Sequence, residues 1–151
     1  MKKIFINLII LTLLSNCGFT PIYVKNERSN YNIEINNTVG DRLINNLISN
    51  QLNISKDKLS ENKINLIINT KYEKKVSSKD TTGAAATYEL TATTELNASN
   101  KNNNKDFVYY EKFIMNKNEN LLDEREYERT IKQSFASSIT NKIILDLNSL
   151  K

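Results

Sequence analysis

The stretch Ile64-Asn65-Leu66-Ile67-Ile68-Asn69-Thr70-Lys71-Tyr72-Glu73 decides the fold. Ile64, Leu66, Ile68, Thr70 and Tyr72 fall on one side of an extended chain, and Asn65, Ile67, Asn69, Lys71 and Glu73 on the other. A period of two is what a half-buried strand requires. The same period recurs downstream. Over residues 86–98, Tyr88, Leu90, Ala92, Thr94, Leu96 and Ala98 share a face, with the β-branched Thr87, Thr91 and Thr93 opposite. Over residues 107–115, Phe107, Tyr109, Glu111, Phe113 and Met115 align. The polar segments 74–83 and 99–106 have the length of hairpin connections, so these runs predict consecutive antiparallel strands.

Upstream, Tyr31, Ile33 and Ile35 alternate with Asn32, Glu34 and Asn36, a further half-buried strand. Thr38 is the candidate cap of a helix over residues 39–52. There Leu43, Ile44, Leu47, Ile48 and Leu52 recur at helical spacing, and Asp41 places a negative charge in the first turn. A polar loop follows at 53–62. From 119 to 150 the helical period returns, with Tyr127, Ile131, Phe135, Ile139, Ile143 and Leu147 each four apart. That spacing drifts about 40° per step around an ideal helix. Ala136, Ile144 and Leu145 widen the stripe, and Ser137-Ser138 marks a candidate bend.

The predicted order is thus β-α-β-β-β-α. A helical crossover pairs the first two strands in parallel, and the rest form a meander. Both helices must bury an apolar stripe, and one face of the sheet can receive both. The expected fold class is α+β, a two-layer sandwich of a four-stranded mixed sheet with two helices on one face. The other sheet face carries Ile67, Val108, Tyr110 and Ile114 among threonines and charges, a mixture that suits either a partner or solvent.

Composition narrows the chemistry. The 151 residues include no His and no Trp, and only three Gly. Serine or cysteine nucleophiles activated by His, zinc sites built on His and a glycine-rich phosphate cradle are therefore excluded. The single cysteine, Cys17, has no partner for an internal disulfide. Its setting is informative. Lys2 and Lys3 precede an apolar run from Ile4 to Leu14, too short for the roughly 20 residues of a membrane span, as in a secretion signal. Leu14-Ser15-Asn16-Cys17 resembles the cleavage site of bacterial lipoprotein signals, although Asn16 stands where Gly, Ala or Ser is usual. We expect a signal peptide over 1–16, a lipidated tether over 17–29 in which Pro21 disfavours helix, and a single α/β domain over 30–151.

The resemblance implies a diacylglycerol thioether and an N-acyl chain on Cys17, with no other cofactor and no metal. At about 0.8 kcal/mol per buried methylene, two chains suffice for stable anchoring. Gly18, rather than the Asp common in lipoproteins retained at the inner membrane, implies the outer membrane. Losing Lys2 and Lys3 lowers the formal charge from +4 to +2, too little to argue for nucleic acid.

Cys17-Gly18-Phe19-Thr20-Pro21-Ile22-Tyr23 resembles the Cys-Gly-Phe-x-Pro-Leu-Tyr opening of the LptE lipoproteins of alphaproteobacteria. Residues 40–47, 86–90 and 126–147 are similar to that family's first helix, third strand and terminal helix. The resemblance implies a non-enzymatic subunit of the lipopolysaccharide-assembly translocon. Such a subunit is held at the periplasmic face of the outer membrane and docks in an LptD-like β-barrel whose assembly it assists. Lys71, Lys74, Lys75 and Lys79 are candidate partners for lipopolysaccharide phosphates. The commoner reading of such a group is a solvated lysine-rich hairpin that blunts a strand end. An independent glycolipid-binding lipoprotein is the alternative function. A hydrolase using carboxylates such as Glu111 and Asp123 is a third, with nothing in the sequence to place the two in one pocket.

Overall fold

The computed structural model describes residues 29, 31–101 and 103–149. The expected signal peptide, Cys17 and nearly all of the tether lie outside the described residues. Six elements follow in the expected order: β1 (Asn32–Gly40), α1 (Arg42–Ser55), β2 (Lys63–Lys79), β3 (Ala85–Ser99), β4 (Asn104–Asn116) and α2 (Leu121–Ser149). The sheet order is β1-β2-β3-β4, with β1 parallel to β2 and the remaining neighbours antiparallel. This is the two-layer α+β sandwich that the periodicity predicts.

The period of two works because only one sheet face carries the helices. Ile33, Ile64, Leu66, Ile68, Leu90, Leu96 and Met115 are almost wholly buried against Ile44, Ile48 and Leu52 of α1 and Ile131, Phe135, Ile139, Ile143 and Leu147 of α2. Each such Ile or Leu contributes about 1.5–3 kcal/mol relative to exposure. That packing decides the fate of α1, whose Asn45, Asn46, Asn50 and Asn53 are weak helix formers.

Three boundaries differ from the sequence reading. Thr38 does not cap the first helix; it lies inside β1 opposite Ile68. The chain turns two residues later at Gly40, whose φ of +97° favours glycine. Asp41 then serves as the N-cap, its carboxylate accepting from the amide of Ile44 at 3.0 Å, while its own amide donates to the Thr70 carbonyl at 2.8 Å. Second, β2 does not end near Glu73. Pairing with β3 continues through Lys74 opposite Leu90 and Val76 opposite Tyr88, so the connection shrinks to a tight turn at 80–84. The segment 74–79 is largely exposed, and burial on one side no longer imprints an alternation. The start of β4 at Asn104 has the same cause. α2 is a single helix through Ser137 and Ser138. Ser137 accepts from Gln51 at 3.1 Å and Ser138 donates to Glu111 at 2.7 Å, which directs both hydroxyls toward neighbouring elements.

Candidate functional site

Strand alternation divides the four lysines. Lys71 and Lys75 stand on the open sheet face with Glu73 between them, at 2.9 and 2.8 Å. Hydrogen bonds from Lys71 and Lys75 hold the Glu73 carboxyl down to about 2. Lys74 points the other way, beneath α2, where it meets Glu124 at 2.8 Å and Glu128 at 2.9 Å and lies 4.4 Å from the centre of the Tyr88 ring. Lys79 is exposed at the end of β2, beyond two register shifts. The expected cluster of four is therefore not one surface. Lys71, Lys75 and Lys79 stand clear of the helix layer, whereas Lys74, itself partly exposed, is engaged by Glu124 and Glu128 of α2.

That interface contains a seam the sequence reading missed. Lys132 of α2 binds Asp41 at 2.8 Å and lies 3.8 Å from the centre of the Tyr72 ring. The Tyr72 hydroxyl donates to Glu128 at 2.9 Å, Glu128 shares Lys74 with Glu124, and Glu124 accepts from the amide of Asn118 at 3.2 Å. The seam ties the cap of α1 to β2 and to the first turns of α2, where Leu121, Leu122 and Tyr127 are largely exposed and apolar burial is thin. Burial alone would push the Asp41 carboxyl up, but hydrogen bonds from Lys132 and the Ile44 amide hold it below its ordinary value. The hydrogen bond from Lys74 lowers Glu124. Burial opposes charge on Lys74, but hydrogen bonds to Glu124 and Glu128 outweigh it and raise the ammonium. Glu124 and Glu128, four apart on one helix, were a sequence signal for such a partner.

The two candidate catalytic carboxylates are not brought together. Glu111 takes Ser138 and Lys142, the latter at 2.6 Å, whereas Asp123 is exposed in the first turn of α2. Between α1 and α2, a groove bounded by Gln51, Ile54, Thr140 and Ile144 encloses about 50 Å3, the room of a water or two. The open sheet face is broader. Its centre is Thr91, Thr93 and the Lys71-Glu73-Lys75 row; three of its apolar side chains lie on β4, where Val108 is 67%, Tyr110 55% and Ile114 46% exposed, and Ile67 stands apart on β2.

No family model matches the chain, and no curated protein matches it in sequence. Solved structures do match. Rare lipoprotein B of Shewanella oneidensis superposes with a TM-score of 0.57 at 19% identity, over 76% of this chain and 95% of that one. The chain shares its fold. A lipoprotein B from Nitrosomonas europaea gives a TM-score of 0.53 at 11% identity, covering 80% of this chain and 84% of its own. A putative lipoprotein from Caulobacter crescentus gives 0.50 at 13%, covering 78% and 88%. What these proteins have in common with the chain is architecture rather than residues.

Proposed function

We propose that the chain is a lipid-anchored subunit of the outer-membrane machinery that exports lipopolysaccharide, docked in a large β-barrel partner and assisting its assembly. The observation that carries this reading is the fold shared with rare lipoprotein B over 95% of that protein. Rare lipoprotein B is LptE under another name. The Cys17-Gly18-Phe19-Thr20-Pro21-Ile22-Tyr23 opening supports the same reading independently of the fold.

The geometry suits a docked subunit. The amide of Ser29, at the domain's start, donates to the carbonyl of Ser55, and Asn32 pairs with Lys63. The 80–84 turn lies at the opposite end of β2, whose 17 residues span about 55 Å at ~3.3 Å per residue. A tether on Cys17 therefore holds one end and leaves the hairpin end to reach a partner. Within this reading Lys71, Lys75 and Lys79 are the lysines available to lipopolysaccharide phosphates, and Lys74 is not.

Purification of the native lipoprotein from membranes in mild detergent tests the proposal. A large β-barrel protein should accompany it in equal amount, and its absence under conditions that keep the protein folded refutes the docked reading. Replacing Lys71, Lys75 and Lys79 together by Ala should weaken binding of extracted lipopolysaccharide. Unchanged binding removes these lysines from the account.

A further inference from the structure

The two edges of the sheet are finished differently. β1 has nine residues, and its pairing with β2 is interrupted by a shift between Ile35 and Asn37. β4 has 13 residues, no proline and an uninterrupted register with β3, and among the described residues no strand pairs with its outer edge. Of the usual protections against edge-to-edge pairing, β4 lacks a bulge, a proline and a short length, and keeps only charged side chains, Lys105, Asp106, Glu111 and Lys112, so it pairs only with a strand whose charges complement its own. Its open face reads Asp106, Val108, Tyr110, Lys112, Ile114, an acid and a base flanking two exposed apolar side chains.

We propose that β4 pairs antiparallel with the β4 of a second copy of this chain, joining the two sheets into one of eight strands. A two-fold axis perpendicular to the sheet keeps each residue opposite one of the same face, so the axis must pass through a residue. With the axis at Tyr109, Asp106 of each copy faces Lys112 of the other, and Val108 faces Tyr110, each pair occurring twice. With the axis at Val108, Asp106 meets Tyr110. With the axis at Tyr110, Asp106 meets Ile114 and Val108 meets Lys112. Only the register centred on Tyr109 matches both the charges and the apolar pairs. Asp106 already accepts from Asn97 at 2.6 Å, and Lys112 pairs with Glu89. A carboxylate has about four acceptor sites and an ammonium three donors, so each retains capacity for a partner. Tyr109, at the axis, is anchored from beneath by its 2.9 Å hydrogen bond to Asp146, which fixes the strand at the centre of the contact.

This inference stands apart from the barrel reading and is tested without it. The full lipoprotein is followed by sedimentation in density-matched detergent across a concentration series, with circular dichroism confirming the fold of each variant. The parent chain should show a reversible monomer–dimer equilibrium. Asp106→Lys and Lys112→Asp, which each set like charges opposite one another, should raise the dissociation constant at least about tenfold. The combined Asp106→Lys/Lys112→Asp variant restores opposite charges in this register alone and should return to within about threefold of the parent. A parent chain that stays monomeric to about 200 μM overturns the proposal, because a register with both charge pairs and both apolar pairs matched should associate more tightly than that. So does a folded double variant that dimerises no better than the single ones.

Discussion

Gly40 and Gly83 provide a controlled pair for measuring what the β1–α1 junction is worth. Both have positive φ, +97° and +85°. An alanine at either site accepts about 1–2 kcal/mol of backbone strain. The surroundings differ. A Cβ at Gly83 meets nothing within 4 Å, whereas at Gly40 it lies 1.9 Å from the Thr70 carbonyl oxygen and 2.8 Å from its carbon. That oxygen cannot simply retreat, because it accepts the Asp41 amide at 2.8 Å from within the β1–β2 ladder. Gly40→Ala must therefore also displace Asp41, with loss of a helix cap worth ~1 kcal/mol and of the Lys132 bridge. The total comes to about 3–5 kcal/mol. With an unfolding entropy of ~2.1 cal/mol/K for each of about 120 residues, it lowers Tm by roughly 12–20 °C. Gly83→Ala should lower it by only about 4–8 °C. Thermal unfolding followed by circular dichroism measures both. If Gly40→Ala melts no lower than Gly83→Ala, the close approach to Thr70 is not what holds the junction.

Lys74→Met should cost about 1–2 kcal/mol in urea unfolding, less than the loss of a fully buried pair because 26% of the Lys74 side chain stays exposed. Lys75→Met, at a solvent-facing pair, should leave the midpoint unchanged; equal losses for the two would contradict the division of the lysines between faces. Asp41 and Glu124 are both held below their ordinary 3.8 and 4.5, so their contribution is complete at neutral pH and lost as pH falls through the lowered folded values. Stability should therefore be flat from about pH 7 to 5 and fall below it, more gently in Asp41→Asn; parallel acid curves would remove Asp41 from the seam. The raised Lys74 contributes fully below 10.5 and loses its contribution only at more alkaline pH. Ile139→Ala, at a fully buried position on α2, should lose about 3 kcal/mol, and a loss under 1 kcal/mol would indicate a loosely packed core.

The architecture was legible because one burial face imposes one rhythm. Ile64 to Tyr72, Tyr88 to Ala98 and Phe107 to Met115 all report the same helix-bearing side of the sheet. Legibility stops where burial does. From Lys74 to Lys79 the strand is held mostly by backbone pairing and cross-strand contacts, so its polar residues look like a turn. The sequence reading starts α1 too early, at Thr38, with Asp41 as a first-turn charge; Asp41 is itself the cap, and the conformation at Gly40 is what moves the helix start to it. The lysines were misjudged as a group through proximity in sequence. The alternation that places Tyr72 on the helix side places Lys74 there too, and Glu124 and Glu128 lie 50 and 54 residues away.

The parallel pairing of β1 with β2 has a mechanical consequence. β1 begins at the tether end, and β2 finishes at the hairpin end. In the docked arrangement proposed above, with a partner at the hairpin and the membrane at the anchor, tension would draw β1 and β2 in opposite directions along their shared axis. The ladder from Asn32 opposite Lys63 to Gly40 opposite Thr70 is then loaded all at once, in shear, rather than one rung at a time. In that arrangement β1 would resist peeling under a pull on the hairpin.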